Sequence, residues 1–308
     1  MPTHLRHLIT LQHLGAETLE HLLDRAESLR EACAHGTRRI DLLRGRTVLN
    51  LFFEPSTRTR TSFELAARRL GADVVNFDIT SSSTSKGETL LDTLHTLEAM
   101  HLDALVVRHR ESGTPEFLVR HAASGVSIVN AGDGNHAHPT QGLLDALTVR
   151  QHRRHFDALT VTICGDVLHS RVARSDVHAF QALGVRDLRL CGPGALLPAP
   201  GELPGCAFSD NFDSAVEGAD VIIMLRLQKE RMVATQLPDE AAYFERYGLS
   251  QTRLKRAAPG ALVLHPGPIN RGVEIASEVA DGTQSRILEQ VANGVFVRMA
   301  VLAELLAR

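Results

Sequence analysis

TVLNLFFEPSTRTRTSFELAARRL, Thr47 to Leu70, contains the change of pattern from which the fold can be read. Thr47 to Phe53 is an apolar run of strand length, Glu54-Pro55 breaks it, and Phe63, Ala66, Ala67 and Leu70 then recur at helical spacing. The unit is strand, turn, helix. Outward from it, Asp73 to Phe77, Ala104 to Val107 and Ser127 to Asn130 are further short apolar strands separated by helix-compatible sequence. That alternation predicts a parallel sheet covered by helices. On the amino-terminal side, Leu19, Leu22, Leu23, Ala26 and Leu29 mark an amphipathic helix that Gly36 can end.

A second series of elements follows. A helix starting near His138-Pro139 and running to about Arg154 has proline in its first turn, where a missing N–H is tolerated, and marks a domain junction. Beyond it, Leu159 to Cys164, Asp187 to Cys191, Asp220 to Leu225 and Ala261 to Leu264 have the pattern of strands, and Gly192 to Pro204 that of a loop. Ile287, Leu288, Val291, Val295, Met299, Leu302 and Leu306 form an apolar stripe on a closing helix. The fold class predicted is α/β, with two doubly wound parallel-sheet domains. One comprises residues 1–139 joined by the carboxyl-terminal helix 286–308, the other residues 140–285.

With 308 residues, 44% apolar and 22% charged, the chain can bury two cores. A formal charge of −3 gives no general reason to bind nucleic acid or a membrane, so any anion site must be local. MPTHLRHLIT lacks an apolar signal core and no stretch approaches bilayer length, so a cytoplasmic location is expected. Cys33, Cys164, Cys191 and Cys206 include no Cys-x-x-Cys pair, and the histidines show no metal-ligand spacing. Reduced thiols are expected, and no metal.

Between the first strand and its helix lie Ser56, Thr57, Arg58, Thr59 and Arg60. A helix amino terminus presents unpaired N–H groups and a positive dipole end, to which this stretch adds hydroxyls and guanidiniums; the combination suits a phosphate. One such residue would be a cap or a solvated charge; five in succession are better explained by an anion. GxxxxGK[ST] is absent, which disfavours a nucleoside triphosphate, and Gly165 to Ser175 lacks GxGxxG, which disfavours a nicotinamide cofactor. SSSTSKGET, Ser81 to Thr89, reads by composition as a polar surface loop.

EPSTRTRTSFE resembles the carbamoyl phosphate signature of the aspartate/ornithine carbamoyltransferase family, and further motifs match in order over nearly the whole chain. The resemblance implies carbamoyl transfer from carbamoyl phosphate to L-aspartate, an early step of pyrimidine synthesis, without metal or organic cofactor, in a site between the two domains. It implies that Ser56, Thr57, Arg58 and Thr59 hold the phosphate, and that Thr59, Arg108 and His138 polarise the carbamoyl oxygen. Gln141 and the carbonyl of Pro266, beside Gly267, would contact the carbamoyl nitrogen. Arg171, Arg226 and Gln228 would bind the carboxylates of aspartate. Family members lend the Ser81–Thr89 loop to a neighbouring chain, so Ser82 and Lys86 would complete another subunit's site in a homotrimer. The resemblance leaves open whether regulatory or dihydroorotase chains associate. Ornithine enzymes carry HCLP where this chain has His265-Pro266-Gly267-Pro268, and they lack Arg-x-Gln at 226–228. The rival readings are transfer to ornithine and a non-catalytic scaffold for dihydroorotase; six retained cationic or imidazole groups argue against the scaffold.

Overall fold

The computed structural model describes residues 5–34, 39–77, 88–199, 201–228 and 239–307. Gly36, and with it the expected stop of the first helix, lies outside the described residues. The chain divides into two compact units, residues 1–144 with 291–308 and residues 145–290. The sequence reading drew these boundaries at 139/140 and 285/286.

The first unit is built on four parallel strands, β1 (Thr47–Phe52), β2 (Asp73–Phe77), β3 (Ala104–His109) and β4 (Ser127–Asp133), in the order β2-β1-β3-β4. Helices α1 (Ala16–Ala34), α2 (Thr57–Arg69), α3 (Leu90–Glu98) and α4 (Thr114–His121) accompany them. The apolar runs are continuous because the inner strands bury both faces. Leu49, Leu51, Leu105, Val107 and Ile128 pack with Leu94 and Leu97 of α3, while Val48, Val106 and Val129 alternate with them and are equally buried.

The second unit has five parallel strands, β5 (Thr160–Cys164), β6 (Asp187–Cys191), β7 (Cys206–Ser209), β8 (Val221–Met224) and β9 (Leu262–Leu264), ordered β7-β6-β5-β8-β9. The chain crosses between units within α5 (Pro139–His152). It continues through α6 (Arg171–Ala182), α7 (Phe212–Val216), α8 (Glu240–Tyr247), α9 (Gln251–Leu254) and α10 (Ser277–Ala280), and returns within α11 (Ile287–Leu306). Both units are therefore α/β layers on wholly parallel sheets.

Two readings of the sequence need correction. β7 was missed, because it is a four-residue edge strand whose short apolar run, Cys206 to Phe208, includes two exposed positions. On α11 the expected stripe is buried at Ile287, Met299, Leu302 and Leu306 but leaves the interior between them: Leu288 is 84% and Val291 50% exposed. The buried stripe there is Ile287, Gln290, Gly294, Val297 and Val301, and polar Gln290 takes an inward place because it has hydrogen-bond partners in the interior.

In each sheet the crossovers reverse direction once, between β1 and β3 in the first unit and between β5 and β8 in the second. Ligands in open α/β sheets bind beyond the carboxyl ends of the strands that flank such a reversal.

Candidate active site

In the first unit the reversal point gathers Ser56–Thr59, Arg108 and the approach to His138. Phe52 closes β1 in register with Arg108 near the end of β3, and the Phe53 N–H donates to the Arg108 carbonyl at 2.8 Å. Ser56 is the cap residue of α2, with φ −158° and ψ 93°, yet its hydroxyl makes no capping bond, and the first turn contains no acid. The positive end of this helix thus stays uncompensated by its own sequence, and Arg58 and Arg60 add to it. Thr57 and Arg58 are exposed, whereas Thr59 is buried. The Arg108 guanidinium lies 3.4 Å from the Glu54 carboxylate through Nε and donates from Nη1 to the Ala131 carbonyl at 3.2 Å. Glu54, which opens the EPSTRTRTSFE motif but was given no role there, thereby positions a cation from the neighbouring strand.

His138 follows β4 through a turn built around Asp133, which is fully buried. The Asp133 carboxylate accepts from Asn130 Nδ2 (2.8 Å), the Gly113 N–H (2.8 Å) and the Ala137 N–H (3.1 Å), and contacts His136 Nδ1 at 3.0 Å. Burial pushes this carboxyl up, but the His136 and Asn130 side chains and the Gly113 N–H together hold it below its ordinary value. The His138 carbonyl then accepts from Gln141 N (2.9 Å) and Gly142 N (3.3 Å), starting α5 with Pro139 at its first position. Both His138 and Gln141 are buried. Replacing Asp133 by asparagine should cost about 2 kcal/mol of stability at neutral pH, since bonds to a charged acceptor are weakened. The folded carboxyl titrates below the unfolded one, so its contribution is present above about pH 4 and lost as pH falls through the folded value. Urea melts should show wild type and Asp133→Asn diverging above pH 4 and converging below it.

In the second unit, Gly165 leaves β5 with φ +128°, where a Cβ would come 2.6 Å from the Leu225 carbonyl, so only glycine lets the two chain segments approach. Asp166 follows, fully buried. One of its oxygens accepts from the Gln228 N–H (3.2 Å), the other meets His169 Nδ1 (2.8 Å), and Gln228 Nε2 donates to the His169 carbonyl at 2.9 Å. Leu225 N–H also donates to Cys164 O at 2.7 Å. These bonds tie the segment after β8, which carries Arg226 and Gln228, to the segment after β5, which carries Arg171. Arg171 opens α6 and is 6% exposed; Ser170 caps the helix, and the first turn again lacks an acid. A guanidinium held here, at the positive end of a helix, gives a strongly positive setting that suits a carboxylate ligand.

β9 ends in His265-Pro266-Gly267-Pro268, with a cis Gly267-Pro268 bond and Gly267 at φ +69°. His265 Nδ1 accepts the Gly267 N–H at 2.8 Å, so Nε2 carries the ring proton and donates it to Glu274 Oε1 at 3.0 Å. Glu274 is fully buried and also accepts the Asn270 N–H.

The sites expected from the sequence thus fall at one reversal point in each unit, with Pro266 and Gly267 after β9; Ser82 and Lys86 lie outside the described residues. Glu54, Asp133, Asp166 and Glu274, which hold the expected groups, went unread. Asp133 and Asp166 carried one signal, an acid at or just after a strand's carboxyl end.

Residues 6–151 match the family model of the aspartate/ornithine carbamoyltransferase carbamoyl-P binding domain, and residues 157–305 that of the Asp/Orn binding domain. The chain belongs to the aspartate/ornithine carbamoyltransferase family. Among solved carbamoyltransferase structures, aspartate transcarbamoylase from Trypanosoma cruzi in complex with carbamoyl phosphate and aspartate is 30% identical. It covers 98% of this chain and 97% of its own, with a TM-score of 0.87. Ornithine carbamoyltransferase from Thermus thermophilus is 28% identical, covers 99% and 100%, and has the same TM-score of 0.87. Backbone likeness therefore does not separate the two carbamoyltransferase types. Sequence does so better: an aspartate carbamoyltransferase catalytic subunit from Xanthomonas euvesicatoria pv. vesicatoria (strain 85-10) is 57% identical over 303 residues, 98% of this chain and 96% of the relative.

Proposed function

We propose that this chain transfers the carbamoyl group of carbamoyl phosphate to the amino group of L-aspartate, giving N-carbamoyl-L-aspartate and phosphate. The observation that carries the reading is the second reversal point. There a buried Arg171 after β5 and an Arg226–Gln228 segment after β8 are tied together by Asp166, and two guanidiniums match the two carboxylates of aspartate. The high identity to a catalytic subunit named for aspartate supports it.

On this reading Ser56, Thr57, Arg58 and Thr59 take the phosphate at the amino terminus of α2. The neutral amine of aspartate attacks the carbonyl carbon, and negative charge moves onto the carbamoyl oxygen, where Thr59, Arg108 and His138 act as fixed donors. Gln141 and the Pro266 carbonyl orient the carbamoyl NH2 beside Gly267. As the C–O bond to phosphate breaks, Arg58 offsets the charge of the leaving group, which accepts the amine proton. Holding two small substrates in reacting geometry supplies much of the acceleration.

The working unit on this reading is a cytoplasmic homotrimer in which Ser82 and Lys86 serve a neighbouring chain. β2, the strand just before that loop, pairs on one side alone among the described residues, and Val75 on it and Leu65 on α2 are 44% and 40% exposed, as a surface awaiting another chain would be.

Calorimetry with succinate, which keeps both carboxylates and lacks the nucleophile, tests the substrate assignment. Succinate is expected to bind the chain saturated with carbamoyl phosphate and to bind the free chain far more weakly, because the first anion helps complete the second pocket. Equal binding in both states would contradict that order, and no binding in either would contradict the dicarboxylate site.

A further inference from the structure

The first turn of α11 buries a polar residue. Gln290, 2% exposed, donates from Nε2 to Asp145 Oδ1 at 2.6 Å and accepts at Oε1 from the His265 N–H at 2.8 Å. Its orientation is forced, since a carboxylate only accepts and a backbone N–H only donates. Asp145 stands on α5, and within hydrogen-bonding reach of its carboxyl lies that of Asp176 on α6. Both aspartates are fully buried. Neither oxygen of Asp176 receives an N–H or O–H from any described residue, while Asp145 makes further contacts of its own.

Two adjoining desolvated carboxyls do not both ionise. An ionised Asp176 would be a buried charge without a donor, whereas a protonated Asp176 has an O–H and an acceptor within reach. We propose that Asp176 is a protonated carboxylic acid that donates to Asp145, and that this pair, acting through Gln290, positions the His265-Pro266-Gly267 turn. Asp145 keeps the single negative charge that holds Gln290 Nε2, and Gln290 Oε1 in turn pins the backbone at the end of β9. Asp176 and Asp145 are positioning residues; neither touches substrate. The protonation state stands independently of the function, and only the kinetic consequence rests on the carbamoyl-transfer reading.

Burial, and then the charge and hydrogen bond of Asp145, push the Asp176 carboxyl well above its ordinary range; among the described residues Asp145 is the charged group that acts on it. A raised folded value means that the stabilising contribution is complete below the unfolded value near pH 4 and is lost as pH rises toward the folded value. Asp176→Asn keeps the shape and a donor to Asp145 without needing a proton. Its melting temperature is expected to match wild type near pH 4 and to exceed it by a margin that grows to several degrees at pH 8. The infrared difference between wild type and variant at pH 8 should show one protonated-carboxyl C=O band. Asp176→Leu, which removes the donor, is expected to raise KM for carbamoyl phosphate several-fold, and Asp176→Asn to restore it. A melting difference that does not change with pH, a missing carboxyl band, or an Asp176→Asn chain that does not fold would overturn the shared proton. A folded Asp176→Leu with unaltered KM would overturn the positioning role. Absence of carbamoyl transfer in the wild type would remove the function and leave the melting and infrared results to stand or fall alone.

Discussion

Arg108→Ala is expected to lower kcat for carbamoyl transfer by on the order of a hundredfold or more, the usual consequence of losing one fixed donor to a developing oxyanion. Arg108 sits near the carboxyl end of β3, in register with the last residue of β1, and is held by Glu54 at 3.4 Å and the Ala131 carbonyl at 3.2 Å. A guanidinium has five N–H donors, enough to be anchored at both points and still serve a ligand. Removing it also leaves the Glu54 carboxylate near a dianionic substrate, so KM for carbamoyl phosphate should rise as well. Arg108→Lys retains the charge but not the fork, and should recover only part of the loss. Steady-state rates for the two variants check this; a kcat within about threefold of wild type for Arg108→Ala would remove Arg108 from the chemistry.

Arg226→Ala should act differently. Losing one guanidinium from a carboxylate pair costs about 3 kcal/mol, or on the order of a hundredfold in kcat/KM for aspartate, while carbamoyl phosphate binding changes little. The fold should survive, because N–H groups of the segment after β8 tie it down independently of the arginine, Leu225 N–H to Cys164 O and Gln228 N–H to Asp166. Arg171→Ala should show the same kinetic signature, with a larger stability loss because Arg171 is buried at the start of α6. If Arg226→Ala left kcat/KM for aspartate unchanged and weakened carbamoyl phosphate instead, the division of substrates between the two units would be wrong.

Much of this could be read from the chain because parallel sheets bury their inner strands on both faces and mark them as continuous apolar runs. Asp73–Phe77 and Asp187–Cys191 match strands read from sequence residue for residue. β7 escaped because an edge strand needs no such run, and Leu288 and Val291 misled because apolar spacing does not say which side of a helix meets the interior. Arg58 and its neighbours were legible through the local change from strand to helix at Glu54-Pro55, whereas Arg108, Arg171 and Arg226 drew their roles only from the family resemblance. The acids that hold them were not legible. Glu54, Asp133, Asp166 and Glu274 act through partners far along the chain or through backbone N–H groups, and in a sequence a buried acid resembles a solvated one. Asp176 was hidden for the same reason.

The most direct measurement supplies the purified chain with carbamoyl phosphate and either L-aspartate or L-ornithine, following the carbamoylated product by mass. The account predicts N-carbamoyl-L-aspartate from aspartate and no citrulline from ornithine; citrulline alone, or no product from either amino acid, would contradict it.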